Sequence, residues 1–308
     1  MQSEADPGSP HSAPTPTTDS LDSEIFSECE PVYHPLFSSP EADIVLGSKS
    51  NTLFRVHSFT LKSTSGWFRT MFSLPQHPSS PSSSETKIIL DETTETLTSL
   101  LLLISGLPLP PLTSYDVIEP IVYAAEKYDM PGPLSIIRAL CMTPPFLSDP
   151  LRLYSMACRY SWSEEARSAS TLSLSLNLHS PEHLPTLHTL STSALLSLFT
   201  LHRTRRESLR TRLNQPPFVS DTGPASCSAC GRAISYATWR ELKYVMILEM
   251  DCRPLGDGIL NAGLETWREA KACWDARCGG QECKRVLYDK AETVRVVREC
   301  IEQLPKCI

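Results

Sequence analysis

Eight of the eleven cysteines in this 308-residue chain lie after residue 226: Cys227, Cys230, Cys252, Cys273, Cys278, Cys283, Cys300 and Cys307. The other three, Cys29, Cys141 and Cys158, are scattered. Thiols crowded in this way are stapled as disulfides or pinned by a metal, and the redox compartment decides which. The N-terminal stretch MQSEADPGSPHSAPTPTTDS is acidic and rich in Pro, Ser and Thr, the opposite of a secretory signal's basic and then apolar start. The strongest apolar run, Leu97–Leu107, is far shorter than the roughly 20 residues that span a bilayer. The expectation is a soluble intracellular protein whose thiols stay reduced and are free to hold a metal, with nucleus and cytoplasm left open.

Spacing selects the ligands. CSAC places Cys227 and Cys230 in a C-x2-C pair followed at once by Gly231. Two thiolates at that spacing reach one centre, and glycine allows the tight turn beside it. CWDARCGGQEC offers Cys273, Cys278 and Cys283 for a second pair, and the Gly279–Gly280 turn makes Cys278 with Cys283 the easiest geometry. Cys273 sits on an expected helix over 262–276 and is the reserve ligand. The expected site is Cys227, Cys230, Cys278 and Cys283 around one structural zinc, closed to water because all four positions are thiolates. The competing reading is that these cysteines are small buried apolar residues, which is the expectation for Cys252, Cys300 and Cys307 unless they are exposed thiols.

Elsewhere the chain is patterned for a mixed fold. Residues 1 to about 35 lack apolar periodicity and read as a disordered tail. ADIVL (42–46) and TLFRV (52–56) read as strands joined by a hairpin turn, and KIIL (87–90) as a short buried strand. Residues 57–72 turn helical, with Ser65 as an N-cap before Trp67, Phe68, Met71 and Phe72. LPQHPSSPSSSET (74–86) has loop composition. A leucine-rich helix spans 94–105. A further helix over 114–130 carries Val117, Ile121, Ala124, Ala125 and Tyr128 on one face, and 132–142 is helical after Pro131. This order of strands and helices is α+β.

These residues resemble a BTB/POZ domain of the type abundant in fungi. The match rests on Asp43 in the opening strand, His57 and Leu61, the Phe68/Met71/Phe72 helix and the AAEKYDM ending. It covers about residues 40–142. The resemblance implies a protein–protein interaction domain with no catalytic residues, docking a protein partner or a second copy of itself. The chain departs from the family at ISGLPLP (104–110), where many animal members have a Tyr-containing sequence. It also departs at Leu74-Pro75-Gln76, which lacks the glutamate of the cullin-recruiting members. Fungal members similar to this chain often close with a C-x2-C and a second cysteine pair around a Trp-containing helix, here 236–250, with a closing helix over 285–304.

The expected organisation is a tail (1–35), a BTB/POZ-like domain (36–145), an all-helical extension (146–215) and a small helical Cys-rich, zinc-knuckle-like module (216–308). In the extension, 151–170 and 193–213 have helical spacing, PEHLPTL connects them, and FVSDTGPAS (218–226) reads as a linker. His179, His183, His188 and His202 are expected as solvated or connection-lining histidines, since Pro181 separates the first two. HRTRRESLRTR (202–212) reads as a solvated helix face with Leu209 and Leu213 turned inward. His57 reads as a helix-start residue whose ring nitrogen bonds backbone.

Signatures of nucleotide loops, nucleophile elbows and HExxH metalloproteases are absent from the sequence, so no enzyme is expected. The net charge of −7 argues against a general nucleic-acid binder. The leading function is a non-catalytic adaptor or dimerisation protein with a structural zinc site. The alternatives are a substrate adaptor for a cullin-type ubiquitin ligase and a zinc-dependent transcription regulator.

Overall fold

The computed structural model describes residues 32–75, 86–218 and 225–308. The expected tail lies outside the described residues up to residue 31, as do most of the loop 74–86 and residues 219–224 of the linker. Among the described residues the fold is α+β, with one small mixed sheet and more than half of the residues in helices.

Four strands, β1 (Val32–Tyr33), β2 (Ile44–Gly47), β3 (Thr52–Val56) and β4 (Thr86–Ile89), lie in the order β1-β3-β2-β4. β2 and β3 form an antiparallel hairpin in which Leu46 faces Phe54, while β4 joins β2 and β1 joins β3 in parallel. The hairpin turn puts Asn51 at φ 61°, a conformation asparagine tolerates better than most residues. Ile44, Val45 and Leu46 are all buried, so β2 is covered on both faces.

β1 corrects the boundary of the expected tail at residue 35. Val32 and Tyr33 pair with β3, the His34 ring stacks on Phe54 with centroids 5.0 Å apart, and Phe37 is buried in a following 3-10 turn. A two-residue strand, followed after His34 by the Pro35 that opens a 3-10 turn, is too short to produce a periodic signal.

After β3 the chain enters α1 (Ser58–Thr64) and α2 (Gly66–Ser73). As expected, Ser65 caps α2, its hydroxyl accepting from Phe68 N. Phe68 is only 1% exposed and Met71 and Phe72 pack on the same core, whereas Trp67 remains 39% exposed against the edges of Phe68 and Tyr128. His57 is exposed at the head of α1 and makes no cap hydrogen bond. That corrects its expected role. The cap comes from Asp43, whose carboxylate accepts from both Ser58 N and Ser58 Oγ.

Helices α3 (Thr94–Ile104), α4 (Tyr115–Lys127) and α5 (Pro131–Cys141) close this region. α3 buries five leucines around most of its circumference, as a central helix must. On α4 the inward residue is Ile118, and Val117 is 39% exposed, so the expected face is corrected by one position.

Helices α6 (Pro144–Leu147), α7 (Pro150–Arg159), α8 (Ser163–Ser173), α9 (Leu184–Leu187) and α10 (Thr192–Arg212) follow. The single helical pattern over 151–170 is divided in two: Ser161 has φ 58°, and Trp162 N bonds back to Ala157 O. Trp162 then packs beneath Arg138, whose guanidinium pairs with Glu165 at 2.8 Å. PEHLPTL is itself ordered as a 3-10 turn running into α9.

α10 serves two cores. Ala194 and Leu198 belong to the core that begins at Phe37, while Leu209 and Leu213 belong to a second one. The second core is completed by α11 (Ala237–Cys252), a π-helical turn at Ile259–Gly263, α12 (Leu264–Thr266), α13 (Arg268–Asp275) and α14 (Lys290–Glu302). The expected helix over 262–276 is broken at Trp267, and that over 285–304 begins only at Lys290.

Two residues of α10 overturn the picture of a solvated basic face. Arg205 is 2% exposed and donates to the carbonyls of Pro254, Leu255, Leu304 and Pro305. His202, expected in solvent or a connection, is buried against Ser173 Oγ, and burial lowers its pKa to about 4, so the imidazole is neutral. No helix among the described residues is long and apolar enough to cross a membrane.

Candidate metal centre

Two loops carry the four sulfurs. The first, before α11, is closed by an isolated antiparallel bridge between Ser226 and Ala233. Inside it Cys227 N donates to Arg232 O and Gly231 N to Cys227 O, both at 2.8 Å, with Gly231 at φ 68°. Glycine fits there because that left-handed backbone crowds a Cβ. The second loop, between α13 and α14, repeats the design. Arg277 bridges Val286, Cys278 N donates to Arg285 O at 2.8 Å, and Lys284 takes the positive φ at 37°. Each loop is therefore a knuckle in which the second cysteine is followed by a left-handed residue and then an arginine: Cys230-Gly231-Arg232 and Cys283-Lys284-Arg285.

The knuckles face each other. Cys227 Sγ lies 3.7 Å from Cys283 Sγ, Cys230 Sγ lies 3.5 Å from Cys278 Sγ, and all four sulfurs fall within 4.8 Å of one another. A disulfide would bring two sulfurs to about 2.05 Å, so these are free thiols. Four thiolates about 2.3 Å from a tetrahedral zinc would be separated by about 3.8 Å along each edge. The two cross-knuckle spacings of 3.5 and 3.7 Å are close to that edge, and no pair of the four is farther apart than 4.8 Å. The four cysteines can hold a metal ion, and they are the one such cluster found among the described residues.

Backbone N–H groups also favour negative sulfur. The N–H groups of Ala229 and Cys230 bond Cys227 Sγ and bring its pKa down to about 6. Gly280 N–H acts in the same direction on Cys278, but the crowded Cys230, Cys227 and Cys283 sulfurs outweigh it and push Cys278 up to about 11. Without a cation the cluster therefore resists carrying several negative charges together. Cys227 and Cys278 are buried, while Cys230 is exposed.

The sequence-derived set Cys227, Cys230, Cys278 and Cys283 is thus brought together as four neighbouring sulfurs. The reserve ligand Cys273 is not among them: it is fully buried on α13 in the second core, where desolvation raises its thiol to about 12. Cys300 is also a core residue, at 4% exposure, while Cys252 is exposed and Cys307 half-buried. The residues missed by spacing alone are the arginines. Arg232 Nη1 donates to Gly279 O in the opposite knuckle, and Arg285 Nη1 to Ser228 Oγ, each at 2.7 Å. The repeated Cys-x-Arg was the available signal.

Neither protein-family models nor the curated proteins yield a match to this chain.

Proposed function

We propose that the protein is a non-catalytic, BTB/POZ-type interaction protein whose C-terminal Cys-rich module is organised by one structural zinc ion. The observation that carries the zinc reading is the pair of cross-knuckle sulfur separations, 3.5 and 3.7 Å. Four thiolates leave no position for a reacting water, so the ion's role would be architectural. Cys227 and Cys230 would hold it from one knuckle, Cys278 and Cys283 from the other, tying the chain before α11 to the chain before α14.

The interaction reading rests on the resemblance over 40–142 and on the order of elements there. The β2–β3 hairpin is followed by the paired helices α1 and α2, then β4, then α3, α4 and α5. The partner would be a protein, or a second copy of the chain. The test is metal analysis of the full chain purified without added metal, together with light scattering across a concentration series. One zinc per chain and a concentration-dependent mass are expected. A metal-free chain that melts identically with and without zinc would end the zinc reading. A chain that stays monomeric would leave the interaction reading dependent on a foreign partner, to be sought with residues 36–145 as bait. Because zinc displaces thiol protons, binding should weaken in acid.

A further inference from the structure

Among the cations of the two loops, Arg232 and Arg285 cross to the opposite knuckle, whereas Arg277 stays on the neighbouring carbonyls of Trp274 and Ala276. Neither Arg232 nor Arg285 makes an ion pair among the described residues, although both are exposed. Other arginines of this chain do find carboxylates: Arg138 takes Glu165, Arg206 takes Asp251 and Glu207, and Arg295 takes Glu292 and Glu299. Arg232 and Arg285 instead reach across the cluster in opposite directions. Arg232 is anchored on Gly279, the residue after Cys278, and Arg285 on Ser228, the residue after Cys227. Each guanidinium leaves the knuckle that bears it and is held one residue from a sulfur of the other.

Charge supplies the reason for the arrangement. Four thiolates and one divalent ion carry a net charge of minus two, and two guanidiniums carry plus two. We propose that Arg232 and Arg285 are a reciprocal pair of positioning residues that latch the two knuckles together and neutralise the dianionic tetrathiolate centre. This rests on the zinc reading above. The hydrogen bonds act on geometry: they fix the opposite loop at the residue beside its first cysteine, so the pairs of sulfurs meet in one register. The charges act on affinity, because positive groups held beside a dianionic centre favour its formation, and at this partly exposed site the effect should shrink as salt rises. Groups just outside the ligand shell commonly act in this way, through orientation and charge rather than by touching the metal.

The test uses the full chain under reductant, loaded with cobalt(II) as a visible probe and then titrated with zinc. Tetrahedral thiolate-bound cobalt gives a distinct absorption spectrum, so affinity is read only from molecules in which the site has formed. The variants are Arg232→Gln, Arg285→Gln, the double Gln variant and the double Lys variant. Glutamine keeps an N–H donor and removes the charge, whereas lysine keeps the charge and donates from a single nitrogen. Each single Gln variant should weaken metal binding by about 10–100-fold, the usual cost of losing such an outer partner. The double Gln variant should lose more than either, and the double Lys variant should stay close to the parent. Gln variants that bind as tightly as the parent would overturn the proposal, as would a Lys pair that falls as far as the Gln pair. A parent chain that binds neither cobalt nor zinc would instead overturn the zinc reading, and the counter-charge role with it.

Discussion

The two cores of this protein solve the same problem with unequal means. The first, from Phe37 to Leu198, collects large side chains from a sheet and ten helices, including Phe54, Phe68, Tyr128, Tyr154 and the leucines of α3. The second is smaller and draws on Leu209, Leu213, Trp239, Met246, Met250, Val297 and Ile301, with Cys273 and Cys300 packed among them as ordinary apolar residues. Burial scales with size, and a small core seldom holds a module without a staple. The difference shows how one residue type can do two jobs. On α13 and α14 a cysteine fills space, while in a loop beside a left-handed residue it becomes a candidate ligand.

That contrast is most exposed to metal removal. Apparent zinc-binding energies of about 10–16 kcal/mol in finger peptides exceed what a small core supplies. A chelator, or Cys227→Ser, is therefore expected to abolish the cooperative melt of the second region while the first retains its own. Circular dichroism with and without zinc checks this, and a single unchanged transition would mean that the second core stands unaided.

The next effect in size belongs to the first core. Phe68→Ala should cost about 3–5 kcal/mol, because a fully buried ring leaves a cavity. Trp67→Ala should cost clearly less, since that ring is partly in water. Denaturant melts of the two variants should separate, and equal losses would place Trp67 in a contact that the described chain does not contain.

Arg205 joins the regions and comes third. Replacing it with Met would leave the carbonyls of Pro254, Leu255, Leu304 and Pro305 without their donor. A loss of about 2–3 kcal/mol is expected, since the bonds to Leu255 and Pro305 are only part-buried and only the carbonyls of Pro254 and Leu304 would stay out of reach of water, at about 1–3 kcal/mol each. If the two regions melt separately in the parent, this variant should lower the second transition more than the first.

The smallest effect is at the surface. Asp43→Asn should weaken the hold on the first turn of α1 by about 0.3–1 kcal/mol, the usual worth of a negative charge at an exposed helix N-terminus. The hydrogen bonds from Ser58 hold the Asp43 carboxyl below the usual carboxylate range. Its contribution is therefore complete at neutral pH and is lost as the pH falls through the folded-state value. A parent-minus-variant stability difference that persists at acid pH would show that charge is not what caps the helix.

Much of this was legible from short-range pattern. Alternation and buried runs placed β2, β3 and β4, and helical spacing placed α3, α4 and α10 to within a few residues, while α11 was expected from the family resemblance. The C-x2-C pair and the Gly-Gly turn named the four sulfurs that meet. Failures occurred where a signal is shorter than a period, as at β1, or where one backbone angle interrupts it, as at Ser161 between α7 and α8.

Arg205 marks the boundary between the two kinds of information. The sequence placed it seven residues after Leu198 and four before Leu209, on the buried stripe of a helix, where a charge must find partners or distort the fold. By itself, then, the sequence determined where the apolar faces run and which thiols have ligand spacing, because both are set by local backbone geometry. Only the tertiary structure decided that Arg205 would be satisfied by carbonyls at 254–255 and 304–305, and that Arg232 and Arg285 would cross between the knuckles. Those partners lie roughly 50 to 100 residues away in the chain. At such separations no periodicity carries information, and the packing of the cores sets which groups meet.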